Sequence, residues 1–175
     1  MVENKEAPVE ARVFIDNNKL VYKHTNAIID EEQQTFSKYI VSVTEDFALP
    51  DPLVVQGDKI LVSRGNIATI IGKPKAFKTF LISAIVAGFL EDESLTLSGI
   101  GDTCLIIDTE QSKAHCNMVQ KRIYKLSGWK LDSINPSLTL LSLRELNAEN
   151  RLKTTLEAIS VLHPDLVIID GARDL

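Results

Sequence analysis

The residue types best suited to chemistry lie between an apolar run and a helix candidate, at 72–79. The eight residues Gly-Lys-Pro-Lys-Ala-Phe-Lys-Thr meet the pattern G-x-x-x-x-G-K-[ST], except that Phe77 replaces the second glycine. Backbone amides of such a loop, together with the positive end of the following helix dipole, present several donors to an anion. The segment therefore predicts a loop that binds the phosphates of a nucleoside triphosphate.

Each position of this loop has an expected role. Lys78 would reach the β- and γ-phosphates, and Thr79 would offer its hydroxyl to Mg²⁺, which takes few protein ligands. Phe77 keeps its amide donor, so we expect its ring to point away from the phosphates. The predicted nucleotide-binding residues are Gly72, Lys73, Pro74, Lys75, Ala76, Phe77, Lys78 and Thr79. The simpler alternative is an ordinary strand–turn–helix with a lysine-rich turn.

Two acidic residues stand where other predicted strands end. Glu110 follows the apolar run 103–108, and Asp170 closes the run 166–169. Open α/β sheets bind ligands at the carboxyl ends of their strands, so these side chains are expected near the loop. Asp170 would join Thr79 in holding Mg²⁺, and Glu110 would polarise an attacking water. Either acid alone fits a simple strand end or surface turn, whereas the combination with Lys78 indicates catalysis.

The elements needed to position these residues are predicted by an alternation of strands and helices after residue 66. Expected strands are 67–71, 103–108, 138–143 and 166–170, and expected helices are 78–90, 111–126 and 147–162. Continuous apolar strands alternating with helices imply a parallel sheet covered on both faces. The helix 78–90 is apolar on almost all sides and should be buried. Core candidates on the last helix are Leu152, Leu156, Ile159 and Val161.

The first third of the chain predicts a smaller α+β lead-in without catalytic residues. It contains a hairpin at 12–15 and 20–23, a helix at 31–47, and short strands at 53–56 and 59–63. We therefore expect an accessory region at 1–60 and a catalytic core at 61–175. Because the strand at 166–170 comes almost directly before the last residue, we also expect the chain to be a fragment of a larger domain.

Composition narrows the class of protein. The 175 residues are 45% hydrophobic and 25% charged, as in a globular protein, and the net charge of −5 excludes a chain-wide basic field for nucleic acid. Cys104 and Cys116 are expected to be buried, reduced thiols of a cytoplasmic protein. The longest strongly apolar stretch, at 80–90, is too short to span a bilayer, so no membrane partner is expected.

Three motifs together resemble the RecA-like ATPases, which include hexameric replicative helicases and plasmid RepA-type helicases. The resemblance covers about residues 61–175. It rests on Gly-Lys-Pro-Lys-Ala-Phe-Lys-Thr, Leu-Ile-Ile-Asp-Thr-Glu-Gln-Ser and Leu-Val-Ile-Ile-Asp-Gly-Ala-Arg-Asp-Leu. Within this group, the sequence most resembles ATPases of mobile elements and phages in Bacteroides-type bacteria, whose loop reads Gly-x-x-Lys-x-x-Lys-Thr. In that group the second glycine is often absent and a lysine occupies the place of Lys75.

The resemblance implies a RecA-like P-loop NTPase fold with a mostly parallel sheet. It implies that ATP and Mg²⁺ are bound, that Glu110 is the catalytic glutamate and that Asp170 is the magnesium-associated aspartate. It also implies a DNA-acting, helicase-like motor that assembles as a hexamer-type homo-oligomer in replication or mobilisation of an element. The family continues with further strands, DNA-facing loops and sensor residues, which we expect to be missing from this chain.

Two other functions stay open at this point. A non-enzymatic nucleotide-binding regulator or assembly module would bind ATP without turnover, and Phe77 and the acidic net charge favour it. A small-molecule kinase is the third alternative, although no acceptor-binding lid or second basic motif is apparent. Lys121 and Arg122, on the helix after Glu110, are expected to form a solvated face.

Overall fold

The computed structural model describes residues 11–16, 19–24, 39, 41, 43–73, 76–91 and 96–172, and for 11–24 it describes the backbone alone. By their internal contacts the residues form two compact units, Met1–Ala48 and Leu49–Leu175. The predicted functional boundary at residue 60 stays a prediction. In the contact-based division, residues 49–60 belong to the second unit. Among the described residues no helix is long and apolar enough to cross a membrane.

The first unit contains the predicted hairpin. Strands β1 (Ala11–Asp16) and β2 (Lys19–His24) pair antiparallel, with Ala11 opposite His24 and Asp16 opposite Lys19. The predicted helix at 31–47 lies mostly outside the described residues. Where its end is described, residues 43–47 form a turn and then irregular chain, so the helix does not extend to residue 47.

The second unit opens with a small antiparallel sheet. Strands β3 (Pro52–Gln56) and β4 (Lys59–Ser63) form the predicted pair, and β5 (Leu97–Gly99) joins the other edge of β3. The strand β5 was not predicted, because three residues are too few to show a period of two. This sheet packs against the helix α1 (Lys78–Leu90) through Leu53 and Val54.

The larger part of the second unit is a three-stranded parallel sheet in the order β7-β6-β8. Its strands are β6 (Cys104–Asp108), β7 (Leu138–Ser142) and β8 (Leu166–Asp170), and its helices are α2 (Lys113–Leu126) and α3 (Ala148–Leu162). All five elements were predicted, with bounds within two residues. The strands run in register, so that Asp108 lies beside Ser142 on one side and Asp170 on the other.

Both faces of the parallel sheet are covered, as the apolar strands predicted. Alternate residues of β6 point to opposite faces. Cys104 and Ile106 belong to a core shared with α1 and α2, whereas Leu105 and Ile107 pack with residues of α3. The prediction of a mixed α/β fold containing a covered parallel sheet is thus confirmed at this coarse level.

Helix α1 is largely buried, in agreement with its continuous apolar sequence. Val86, Ala87 and Phe89 are at most 1% exposed, and only its first turns reach solvent. Gly88 lies against the backbone of Leu97, and a Cβ at this position would clash with the Leu97 carbonyl oxygen. A glycine here lets α1 approach β5 closely enough to join the antiparallel sheet to the rest of the core.

The predicted strand at 67–71 is wrong. Residues 66–73 have no regular secondary structure, and Ile67 and Ile71 are 96% and 91% exposed. A strand requires a partner as well as β-branched residues, because its backbone groups are satisfied only by a neighbouring strand. In the described part of the chain no strand pairs with this run, and β8 has no strand beside it other than β6.

The buried face of α3 also differs from its prediction. Leu152, Leu156 and Val161 are 46%, 58% and 70% exposed, so they are not core residues. Ile159 does pack on the sheet, and Thr155 is the buried residue of this helix. The difference arises from the rotation of α3 about its own axis, which decides which of its residues face the sheet. The helix presents the face with Thr155 and Ile159 to the sheet. Leu156, the residue after Thr155, and Leu152, three residues before it, lie outside the buried centre of this face.

Asp165 ties the start of β8 to the loop before β6. Its carboxylate accepts hydrogen bonds from the Asp102 amide at 2.9 Å and from the Thr103 amide at 3.3 Å. Arg64 contacts the same group at 3.3 Å. The Asp102 amide, with the Thr103 amide and Arg64, holds the pKa of Asp165 below its ordinary value, although partial burial opposes the shift.

We expect Asp165→Asn to lower the free energy of unfolding at neutral pH by about 1–2 kcal/mol, the loss typical of a charge-assisted contact. A depressed folded-state pKa stabilises the fold above the unfolded pKa of about 3.9 and loses that contribution as pH falls through the folded value. The difference between variant and wild type should therefore shrink below about pH 4. Urea unfolding at several pH values measures it, and a pH-independent difference would contradict the ionic contribution.

Candidate functional site

An open cleft of about 550 Å³ lies where the carboxyl ends of β6 and β8 meet the first turn of α1. One wall belongs to α1 and the other to α2. Its lining residues are Ala76, Phe77, Lys78, Thr79, Phe80, Glu110, Gln111, His115, Met118, Val119, Arg122 and Asp170. The cleft therefore brings together the end of the predicted loop at 76–79, Glu110 and Asp170, which are far apart in the sequence.

The N-terminus of α1 differs from those of the other two helices. Ser112 and Asn147 accept hydrogen bonds from the first-turn amides of α2 and α3, respectively. At α1 the residue before the helix is Phe77, which makes no side-chain cap, and the first turn has no acidic residue. Since the first amides of a helix need acceptors, this helix start can take an anion from the cleft.

Phe77 has the backbone conformation that glycine would adopt easily. Its φ of 58° and ψ of 22° lie in the left-handed region, which is rare for an aromatic residue. The backbone at this point thus keeps the shape that a glycine in the sequence pattern would have allowed. The strain costs of order 1–3 kcal/mol, an amount that is often found at ligand sites.

The ring of Phe77 does not fill the cleft. It is 72% exposed and stands edge-on to Phe80, with 5.8 Å between ring centroids. This position leaves the space in front of the first turn of α1 open, which is compatible with the expectation that the ring avoids the phosphates. That expectation stays a prediction, because it concerns a bound nucleotide.

Phe77→Gly is expected to retain nucleotide affinity within about threefold, since glycine preserves the amide and the left-handed backbone. The loss of the edge-on contact with Phe80, worth about 0.5–1.5 kcal/mol, is offset by release of backbone strain. Titration with a fluorescent ATP analogue tests this. A loss of binding in a folded Phe77→Gly variant would show that the ring itself holds the nucleotide.

Lys78 is the first residue of α1 and points back into the loop. Its ammonium donates to the carbonyl of Gly72 at 2.8 Å and to that of Lys73 at 3.4 Å. Gly72 and Lys73 are exposed and contribute these carbonyls rather than lining the cleft. The lysine closes the loop onto the helix start, where it would also meet a phosphate. Pro74 and Lys75, two predicted loop residues, lie outside the described residues.

Glu110 is held at the cleft by the buried side chain of Asp108. One carboxylate oxygen of Asp108 accepts hydrogen bonds from the Glu110 amide at 3.0 Å and from the Gln111 amide at 2.6 Å. The Gln111 carbonyl in turn accepts a hydrogen bond from the Ser142 hydroxyl at 3.3 Å. The backbone around Glu110 is thus fixed to both β6 and β7, while its side chain faces the cleft and is exposed.

Asp170 lies at the end of β8 beside Asp108. Partial burial raises the pKa of Asp170, and the neighbouring carboxylates of Asp108 and Glu110 raise it further, while Lys78 opposes the shift. The next residue, Gly171, has φ of 88°, and a Cβ there would clash with Thr109 and Glu110. Its carbonyl accepts a hydrogen bond from the Thr109 hydroxyl at 2.9 Å, which joins the two strand ends.

The residues present fit Mg²⁺ bound together with a phosphate chain. Within the described residues, no group of three or more His, Cys, Asp or Glu side chains is arranged to hold a metal ion. Mg²⁺ at phosphate sites keeps several waters and uses only one or two protein ligands. Thr79 and Asp170 supply one hydroxyl and one carboxylate on the same cleft, and the carboxylate of Glu110 lines it as well.

Several residues of the site had no predicted role, among them Asp108, Phe80 and Arg122. Asp108 was predicted only as part of the segment 108–111 at a ligand-binding strand end, without a role of its own. An aspartate whose side chain can accept from amides two or three residues later is a known turn-forming signal. Phe80 and Arg122 line the cleft from α1 and α2. The prediction that Lys121 and Arg122 form one solvated face is wrong for Arg122, which is half-buried over Phe80, whereas Lys121 is exposed. Helical spacing from His115 could have identified Arg122, because residues seven apart share a face.

Both cysteines are free and buried, and their burial agrees with the prediction from the sequence. Cys104 is 2% exposed, and desolvation raises its pKa to about 12. Burial likewise raises the pKa of Cys116, whose thiol donates to the Gln111 carbonyl at 3.9 Å. A thiol with a raised pKa is a poor nucleophile at neutral pH, so neither residue is a candidate for covalent catalysis.

The architecture defines a mixed α/β protein with a cleft at the carboxyl ends of its parallel strands. Comparison of the chain with protein-family models, with curated proteins and with solved structures found no match. The resemblance to RecA-like ATPases therefore stays a prediction from three motifs, and the function must be argued from the cleft itself.

Proposed function

We propose that this chain binds Mg·ATP in the cleft between α1 and the ends of β6 and β8. The observation that carries the proposal is the convergence of Lys78, Glu110 and Asp170 on one cleft, from three separate parts of the sequence. A cation at an uncapped helix start, opposite two carboxylates, provides a position for a phosphate chain and for its metal ion.

The roles follow from charge and position. Lys78 and the first amides of α1 bind the phosphates, and Thr79 and Asp170 lie on the metal side. Glu110 stands across the cleft, where its carboxylate orients and polarises a water molecule toward the terminal phosphate. Catalysis of phosphoryl transfer consists mainly of positioning and charge stabilisation, and these residues supply both.

We also propose that the protein hydrolyses ATP and uses it as a DNA-acting motor in replication or mobilisation of a mobile element. This wider role rests on the motif resemblance rather than on the cleft. Assembly into a homo-oligomer would let a neighbouring subunit supply an arginine, which is worth about 10³–10⁵ in rate where such a residue operates.

A second candidate is a nucleotide-binding regulator without turnover. The contact of Lys78 with the Gly72 and Lys73 carbonyls favours it, because these acceptors already take two of the three donors of the ammonium. Phe77 in place of a glycine points the same way. Multiple turnovers at saturating Mg·ATP would support the ATPase, and stoichiometric binding without turnover would support the regulator.

Titration of the chain with a fluorescent ATP analogue, with and without Mg²⁺, tests the proposal. We expect saturable binding that is tighter with Mg²⁺, because the metal offsets repulsion between the phosphates and the carboxylates of Asp170 and Glu110. Unlabelled ATP should displace the analogue. Absence of saturable binding in both conditions, with the protein folded by circular dichroism, would refute a nucleotide site in this cleft.

A further inference from the structure

Arg122 occupies a position that the proposed ATP site does not yet explain. Its guanidinium carbon lies 3.8 Å from the centroid of the Phe80 ring, and its Nη1 donates to the Ser83 hydroxyl at 3.4 Å. Ser83 is fully buried and donates in turn to the Thr79 carbonyl at 2.7 Å. The arginine is thus connected, through one hydroxyl, to the backbone of the residue that is proposed to face the metal.

These contacts orient the arginine without neutralising it. A guanidinium has five N–H donors in a fixed plane, and the Ser83 hydroxyl accepts from only one nitrogen. In the described part of the chain no carboxylate forms an ion pair with Arg122. A half-buried cation that rests on an aromatic ring loses part of its hydration, so an anionic partner would stabilise it.

The place of Arg122 in the cleft indicates which anion it meets. Arg122 belongs to the wall formed by α2, the helix that begins just after Glu110. Lys78 belongs to the opposite wall, formed by α1. The Arg122 guanidinium nevertheless reaches across to α1, where it contacts Phe80 and Ser83. It therefore lies in the same cleft as Lys78 and Glu110, where a phosphate chain held by Lys78 would extend.

We propose that Arg122 is an anion-binding residue that contacts the terminal phosphate of the bound nucleotide, so that the cleft distinguishes a triphosphate from a diphosphate. This inference rests on the proposed nucleotide-binding function and extends it to ligand specificity. Arg122 would act with Lys78 as a second cation on the phosphate chain, with its planar fork held ready by Phe80 and Ser83.

The test compares dissociation constants for Mg·ATP and Mg·ADP in three variants. Arg122→Met removes the charge and keeps the length of the side chain. Arg122→Lys keeps the charge and the contact with Phe80 but loses the fork. Lys121→Met removes the adjacent exposed cation and is the matched control, because it changes the net charge and the helix equally.

Arg122→Met should raise the dissociation constant for Mg·ATP by about tenfold or more, as expected for a lost hydrogen bond to a charged group. The constant for Mg·ADP should change by less than about twofold, and Lys121→Met should change both by less than about twofold. Arg122→Lys should fall between wild type and Arg122→Met for ATP. A purely structural role would instead weaken both nucleotides equally and lower the melting temperature.

Equal weakening of Mg·ATP and Mg·ADP, or no weakening of either, would overturn the role of Arg122 and leave the ATP site standing. If wild type shows no nucleotide binding that depends on Lys78, the proposed function and this inference both fail. If Arg122→Met does not fold, Arg122→Lys decides the question. An unchanged ratio of the two constants in Arg122→Lys would then overturn the inference.

Discussion

Lys78→Ala is expected to abolish measurable affinity for Mg·ATP while the chain keeps its fold. Lys78 carries the ammonium that stands at the helix start in the cleft. Each hydrogen bond to a charged group is worth about 1.5–3 kcal/mol, so loss of contacts to two phosphates should weaken binding by about 10² or more. Alanine is a good residue in the first turn of a helix, and the core of α1 lies further along.

Two measurements separate the loss of binding from the loss of structure. Isothermal titration or displacement of a fluorescent analogue gives the affinity, and thermal unfolding gives the stability. Lys121→Ala, which removes an exposed cation outside the cleft lining, is the control for net charge. If a folded Lys78→Ala variant bound Mg·ATP as wild type does, the loop at 72–79 would be an ordinary turn and the proposed site would be wrong.

Glu110→Gln is expected to lower kcat for ATP hydrolysis by about 10²–10⁴, the range typical of a lost general base. The affinity for ATP should stay close to that of wild type, because a water-orienting group acts mainly in the transition state. The substitution keeps the size of the side chain. The hydrogen bonds from the Glu110 and Gln111 amides to Asp108 involve only the backbone at this position, so they are preserved.

Steady-state hydrolysis and equilibrium binding, measured on the same preparations, test this expectation. Glu157→Gln is a suitable control, since Glu157 is exposed on α3, away from the cleft. If the Glu110→Gln variant hydrolysed ATP at the wild-type rate, Glu110 would be a turn residue only. The assignment of the catalytic base from the motif resemblance would then be wrong, whereas the binding proposal would not be affected.

Local pattern was sufficient to locate most elements of the second unit. The strands β6, β7 and β8 and the helices α2 and α3 were predicted because each carries its own apolar run or period together with clear breakers, such as Ser127-Gly128 after α2. The order of strand ends along the sequence also indicated that Glu110 and Asp170 would meet the loop. These inferences needed only the rule that parallel strands end at the same edge of a sheet.

The sequence pattern gave wrong predictions where the structure of a segment depends on residues that are distant in the sequence. The run at 67–71 has the composition of a buried strand, but no described strand pairs with it and Ile67 is exposed. The apolar residues of α3 predicted a buried face, but the rotation of the helix on the sheet buries Thr155 and leaves Leu156 in solvent. In both cases the residue types are compatible with either structure, and packing against other elements decides which one forms.

The sequence by itself determined the α/β class, the positions of the parallel strands, and the identity of Lys78, Glu110 and Asp170 as the residues to be brought together. These are local properties, set by periodicity, breakers and residue type. Only the tertiary structure decided that Asp108 would fix the backbone of Glu110 and that Arg122 would rest on Phe80 inside the same cleft. Those contacts depend on strand register and on the angle between two helices, which are set by packing of the whole core rather than by any one segment.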